Sequence, residues 1–328
     1  MSKTVKFIAK CILAAVPAIL LVGFTLLCPF GYMDEEYPAW RFSKRTAQGK
    51  EYEGDDFDTV ILGDSGAMSA VIPRDIGSCV NIAAGGATSI EMYYMFAQYL
   101  DNHAAPDNAV IMFAPFHYWH IDNYKTRTVY FKAIPLTKLP ELYGNAKACD
   151  AASVLYDGYI TDELSARCGL PNKYLPAINA ARFTGRYGGN TAAYGKLTES
   201  FGLGSFGDLE ECYDESYEAS YEDMVIDGDA KLITLYMQKL LKLCSDNGIH
   251  VILLQPAVNT ATYNGLGVHY YASYRNYIKQ ISSVCEDIEY ETNLRVYDGM
   301  YFSDTSHLNA AGAEKFTAEI RDTYFGRR

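Results

Sequence analysis

The chain has 328 residues, 49% of them hydrophobic and 21% charged, enough to bury one large core that carries a substantial insertion. Its formal net charge is −12 and no basic block goes beyond short clusters, which argues against nucleic acid as a partner. The 8 cysteines show no Cys-x-x-Cys spacing and there is no His-x-x-x-His or clustered carboxylate pattern, so no metal, no other cofactor and no dense disulfide framework is expected.

Lys3, Lys6 and Lys10 precede the stretch 11–30, which carries no charge, and Asp34-Glu35-Glu36 follow it. An apolar helix of that length matches the hydrocarbon thickness of a bilayer, and the lysines put the short N-terminus in the cytoplasm and the remainder outside. A cleaved signal peptide is the competing reading. It would end in a small-x-small site, whereas this run ends Leu26-Leu-Cys-Pro-Phe30, which favours an uncleaved anchor. Residues 1–33 are therefore expected to be a cytoplasmic stub and transmembrane helix, and the polar stretch 34–58 a linker.

From 59 onward strands and helices alternate. Apolar runs at 59–63, 79–83, 109–113, 250–254 and 294–297 read as strands, and helical spacing at 90–102, 231–247, 271–285 and 309–324 reads as crossovers. A short helix and turn fill 67–76. That rhythm predicts an α/β domain over 59–328 with about five parallel strands in three layers. Between about 115 and 229 the rhythm is lost in a Tyr-, Gly- and Ala-rich stretch broken by Pro135, Pro140, Pro171 and Pro176. It is too long for an ordinary loop and predicts a helical, lid-like insertion. Its acidic run at 208–218 reads as a solvated face. The 28 tyrosines suit either carbohydrate-binding surfaces or ordinary aromatic packing.

Chemistry should collect past the carboxyl ends of the strands. Gly63-Asp64-Ser65 ends the first, Ala84-Gly85-Gly86-Ala87-Thr88 follows the second, Pro115-Phe-His117-Tyr-Trp-His120 the third, and Ser303-Asp304-Thr-Ser-His307 lies beyond the fifth. A serine needs a base, and the base an orienting carboxylate. Ser65, His307 and Asp304 supply the three. Asp64 reads as a hydrogen-bond acceptor at the turn, Asn81 as a support of the second loop, and His117 and His120 as oxyanion donors, as polymer contacts or as structural groups.

Gly63-Asp64-Ser65, Asn81-Ile-Ala-Ala-Gly85-Gly86 and Asp304-x-x-His307, in this order, resemble three sequence blocks of the SGNH/GDSL hydrolase superfamily. The resemblance implies Ser65 as nucleophile, His307 and Asp304 as its base and orienter, and the backbone N–H groups of Ser65 and Gly86, with Gly85 the near alternative, as oxyanion donors. Where the family has Gly-x-Asn-Asp, this chain has Ala114-Pro115-Phe116-His117, so the side-chain amide donor is missing or replaced. With the N-terminal anchor, that departure makes the chain similar to the membrane-anchored branch that works beside a membrane-bound O-acyltransferase, such as the proteins of teichoic-acid D-alanylation. The implied function is a serine O-acyltransferase or acyl esterase acting through an acyl-serine on a cell-surface polysaccharide or teichoic-acid-like polymer at the outer face of the cell membrane. The alternative is a non-catalytic polymer-binding or scaffold protein of such an O-acylation complex.

Overall fold

The computed structural model describes residues 2–27, 35–122, 124–157, 161, 163, 183–207, 226–266 and 268–326. In chain order its elements are helix α1 (Lys3–Leu27), α2 (Tyr37–Ala47), strand β1 (Thr59–Gly63), α3 (Ser65–Ala70), α4 (Pro73–Ile76), β2 (Cys79–Asn81), α5 (Ser89–Leu100) and β3 (Asn108–Met112). Then follow α6 (Leu139–Cys149), α7 (Ala152–Asp157), α8 (Phe183–Glu199), α9 (Gly228–Asp246), β4 (His250–Leu254), β5 (Val258–Asn259), α10 (Thr260–Gly265), α11 (Val268–Ser282), β6 (Ile288–Tyr290), β7 (Val296–Tyr297) and α12 (Ala310–Ile320).

Five strands form one parallel sheet in the order β2-β1-β3-β4-β6. β1, β3 and the last four residues of β4 are buried, as continuous apolar runs covered on both faces require. Right-handed crossovers place α5, α9 and α11 on one face and α3 with the closing helix α12 on the other. The packing agrees: α9 lies against α5 and α11, and α12 against α3 and α4. Hydroxyls tie the first layer together, Tyr94 Oη lying 2.6 Å from Tyr236 Oη and Ser89 Oγ donating to the Ile233 carbonyl at 2.7 Å.

Two expectations are corrected. The fifth strand of the sheet is β6, not 294–297. Val296–Tyr297 instead pairs with Val258–Asn259 in a separate two-stranded sheet. At the sheet edge β6 needs only one neighbour, and with Ile288 half-buried and Glu289 and Tyr290 exposed it has no apolar run to betray it. The stretch 34–58 holds helix α2, whose Trp40 and Phe42 are buried in the main core, so this segment is part of the domain's packing.

The described part of 115–229 contains helices α6, α7 and α8 joined by irregular segments. It opens with a 3-10 turn, Pro115–Tyr118, and a single π-helical turn, Lys125–Val129. The acidic run 208–218 lies outside the described residues. Tyr99, Tyr118, Tyr124, Tyr236, Tyr270 and Tyr274 are among the largest fully buried side chains, so the tyrosine content feeds the core to a substantial extent. Burial pushes the phenols of Tyr118, Tyr124 and Tyr274 well above their ordinary value.

The α1 backbone is helical to Leu27, and its side chains are described to Leu20 and at Gly23. Within the described residues no helix is long and apolar enough to cross a membrane. Phe7, Ile12, Leu13, Ile19 and Leu20 of α1 are exposed.

Candidate active site

In a sheet of this order the crevice opens between the carboxyl ends of β1 and β3, where the strand order reverses. A Cβ at Gly63 would stand 1.8 Å from the Met112 carbonyl oxygen, so only glycine lets β1 finish this close to β3. The next residue, Asp64, is extended and caps α3, with Oδ1 accepting from the Gly66 N–H at 2.8 Å and the Ala67 N–H at 3.3 Å. That cap sets Ser65 as the first residue of α3, half-buried at the crevice.

Asp64 also reaches across the crevice. Its Oδ2 accepts from the Ala114 N–H at 2.6 Å and lies 2.6 Å from Nδ1 of His117. A fully buried carboxylate thus joins the turns after β1 and β3 through four contacts, as a buried charge must. Asn81 links the second loop to the same turn: its Nδ2 donates to the Ala67 carbonyl at 3.0 Å and its Oδ1 accepts from the Ala83 N–H at 3.0 Å.

Beyond that loop Gly86 adopts φ +67°, and a Cβ there would meet Arg127 Nη1 at 2.4 Å. The Arg127 guanidinium is gripped by Glu36, whose two carboxylate oxygens each accept at 2.6 Å, and by Asp122. Burial favours its neutral form, but the hydrogen bonds and charges of Glu36 and Asp122 outweigh burial and hold Arg127 charged, above its ordinary value.

The last loop is closed by a bridge between Phe302 and Leu308 and by the Ser303 N–H donating to the His307 carbonyl at 2.9 Å. Within it Asp304 Oδ1 accepts from the N–H groups of Ser306 and His307 at 2.9 and 2.7 Å, while Oδ2 lies 2.8 Å from His307 Nδ1. Burial raises the Asp304 pKa, but the hydrogen bond and charge of His307 and the two N–H donors outweigh it, leaving the carboxyl below its ordinary value. Asn259 Nδ2 donates to the Thr305 carbonyl at 2.6 Å and fastens the loop to the end of β5. The His307 ring stacks on Phe206, centroids 4.5 Å apart and planes 21° from parallel.

Ser65, Gly86, His117, Arg127, Pro256 and His307 contribute to the wall of one cavity of about 250 Å³. Asp304 stands behind His307. No hydrogen bond joins Ser65 Oγ to His307 among the described residues. The backbone N–H groups of Ser65 and Gly86 have no acceptor among those residues either. Gly85 does not line the cavity, and its carbonyl accepts from Trp40 Nε1 at 3.0 Å. His120 is exposed outside it, its ring 4.4 Å from that of Phe116.

Sequence reasoning missed the roles of Glu36, Asp122, Arg127 and Phe206. They come from the stretch assigned to the linker and from the irregular insertion, where no period or spacing marks a side chain as facing the crevice. Among the described residues no group of His, Cys, Asp and Glu side chains could hold a metal ion, and the described cysteines, Cys11, Cys79, Cys149, Cys244 and Cys285, are free thiols. No protein-family model matches the chain, and no curated protein matches it either.

Proposed function

We propose that the chain is an SGNH-type serine enzyme, an O-acyltransferase or acyl esterase, held at the outer face of the cell membrane. One observation carries this reading: Ser65 and a carboxylate-paired imidazole, His307, face a single cavity at the carboxyl edge of a parallel sheet. In the reaction His307 Nε2 takes the Ser65 proton as Oγ attacks an ester carbonyl, and Asp304 fixes the ring by accepting from Nδ1. The developing oxyanion is met by the N–H groups of Ser65 and Gly86. The leaving alcohol takes the proton from His307 and an acyl-serine remains. Attack by water makes the enzyme an esterase; attack by a hydroxyl of a surface polysaccharide or teichoic-acid-like polymer makes it a transferase.

The membrane assignment draws on the uncharged stretch 11–30 and on the apolar side chains that α1 leaves exposed. A helix of that kind would hold the enzyme beside a membrane-bound O-acyltransferase that supplies the acyl group.

A serine-directed fluorophosphonate tests the central claim. The full chain should be labelled at Ser65, and labelling should vanish in Ser65→Ala and fall steeply in His307→Ala. An unlabelled wild-type protein would favour the second reading, a polymer-binding scaffold that keeps the fold, to which the absent Ser65–His307 hydrogen bond lends support.

A further inference from the structure

Ser65 shares its cavity with two imidazoles, and each is held by a carboxylate. His307 is paired with Asp304, and His117, buried to 8% exposure, with the fully buried Asp64. We propose that His117 is a second catalytic base, which activates the acceptor hydroxyl in the half-reaction that empties the acyl-serine. The proposal rests on the acyl-serine reading given above.

The hydrogen-bond pattern decides what His117 can do. Besides His117, every neighbour bonded to the Asp64 carboxylate is an N–H donor: Gly66 and Ala67 on Oδ1, Ala114 on Oδ2. The carboxylate therefore acts as acceptor throughout, and the proton of its contact with His117 sits on Nδ1. The neutral ring then presents Nε2 as a lone pair. No described residue bonds that nitrogen, and the ring forms part of the cavity wall. A buried carboxylate on Nδ1 fixes tautomer and orientation and supports the positive charge that appears when Nε2 takes a proton. Asp64 is thus a positioning residue, held in turn by three backbone N–H groups.

His117 follows β3, at the strand end where the resemblance to the SGNH/GDSL pattern implies an amide side chain as oxyanion donor. An amide donates to an oxyanion but takes no proton. An imidazole with Nδ1 already committed offers the reverse. In the second half-reaction the acceptor oxygen bonds to the acyl carbon while its proton passes to His117 Nε2. The bond from the acyl carbon to Ser65 Oγ then breaks and the proton returns to Oγ. Both imidazoles end neutral, as they began, and no other reactant is consumed. His307 serves the entry of the acyl group and His117 its exit.

The test uses the full chain in detergent micelles with p-nitrophenyl acetate, with water or added glycerol as acceptor. The initial burst reads acylation of Ser65, and the steady rate after it reads acyl transfer. His117→Gln should keep the burst rate and fluorophosphonate labelling within about twofold, while the steady rate falls by about 10²-fold or more. His117→Ala should behave alike, and free imidazole should restore its steady rate beyond the increase that imidazole alone gives with Ser65→Ala. An unchanged steady rate in His117→Gln overturns the proposal, as does an equal fall of burst and steady rate, which marks an oxyanion donor or a packing role. A wild-type protein with neither burst nor labelling overturns the acyl-serine reading itself and the inference with it, a result that no His117 variant can mimic.

Discussion

Phe206 lies flat on the imidazole of His307, with ring centroids 4.5 Å apart, and its carbonyl accepts from Ser303 Oγ at 2.5 Å. One residue of the insertion thus holds both the ring and the start of the loop that carries it. Such a ring contact is worth about 0.5–1.5 kcal/mol. Phe206→Ala should therefore lower the rate of Ser65 labelling by roughly 2- to 10-fold, the range that energy allows. Phe206→Tyr should restore it, as labelling kinetics would record.

Gly86 combines a left-handed backbone with the Arg127 guanidinium where a side chain would begin. Gly86→Ala should destabilise the fold by about 1–3 kcal/mol, the cost of such strain before any movement of Arg127. Urea unfolding measures it. Equal stability of Gly86→Ala and wild type would show that the loop relaxes away from Arg127.

Asp64→Asn is isosteric, but an amide has an acceptor on one side only. Whichever way it turns, an NH₂ group faces N–H donors, either Gly66 and Ala67 or Ala114. The loss should be about 1–3 kcal/mol in thermal or urea unfolding, as for a buried donor left without a partner.

Asp304 titrates below its ordinary range in the folded chain because His307 and two N–H groups stabilise its charge against the opposing effect of burial. A depressed carboxyl contributes stability that is complete above its unfolded pKa, near ~3.9, and is lost as pH falls through the folded value. The stability difference between wild type and Asp304→Asn should therefore shrink as pH falls below about 4. Unfolding curves across that window check the sign. A difference that grows on acidification would reverse it.

The proposed membrane tether has its own prediction. Two proteins held in one plane meet at high effective concentration. A soluble form starting at Asp34, which keeps Glu36 on Arg127, and exported by a cleavable signal should acylate the polymer less than the full chain at matched abundance, as quantified on isolated cell envelopes. Rescue by an unrelated transmembrane helix would show that tethering suffices.

The parallel α/β core was legible because buried strands must be continuous apolar runs: β1, β3 and β4 stand where Thr59-Val-Ile-Leu, Ala109-Val-Ile-Met and Val251-Ile-Leu-Leu predict them. Glycine and serine at the end of β1 and the Asp304-x-x-His307 spacing were readable because each is a local geometry. What escaped was tertiary. Nothing in the sequence around Phe206 says that it will lie on His307. The same holds for Glu36, some 91 positions from the Arg127 it grips. The edge strand β6 was hidden because partial exposure removes the apolar signal, and α2 because its helix face is short and flanked by charge.

Helix α2 and Glu36 tie the crevice to the N-terminal segment. Trp40 Nε1 and Ser43 Oγ donate to the carbonyls of Gly85 and Ala83, and Glu36 holds Arg127 against Gly86. The loop beside Ser65 is therefore fastened to the first residues after the spacer that leaves α1. Eight residues, 28–35, lie between Leu27 and Glu36. Fully extended they reach no more than about 30 Å. If α1 sits in a bilayer, the α/β domain can sweep only a shallow layer above the lipid headgroups. The acceptors of the proposed acyl transfer would then be the membrane-proximal parts of a polymer, with distal units brought within range only as the polymer itself moves.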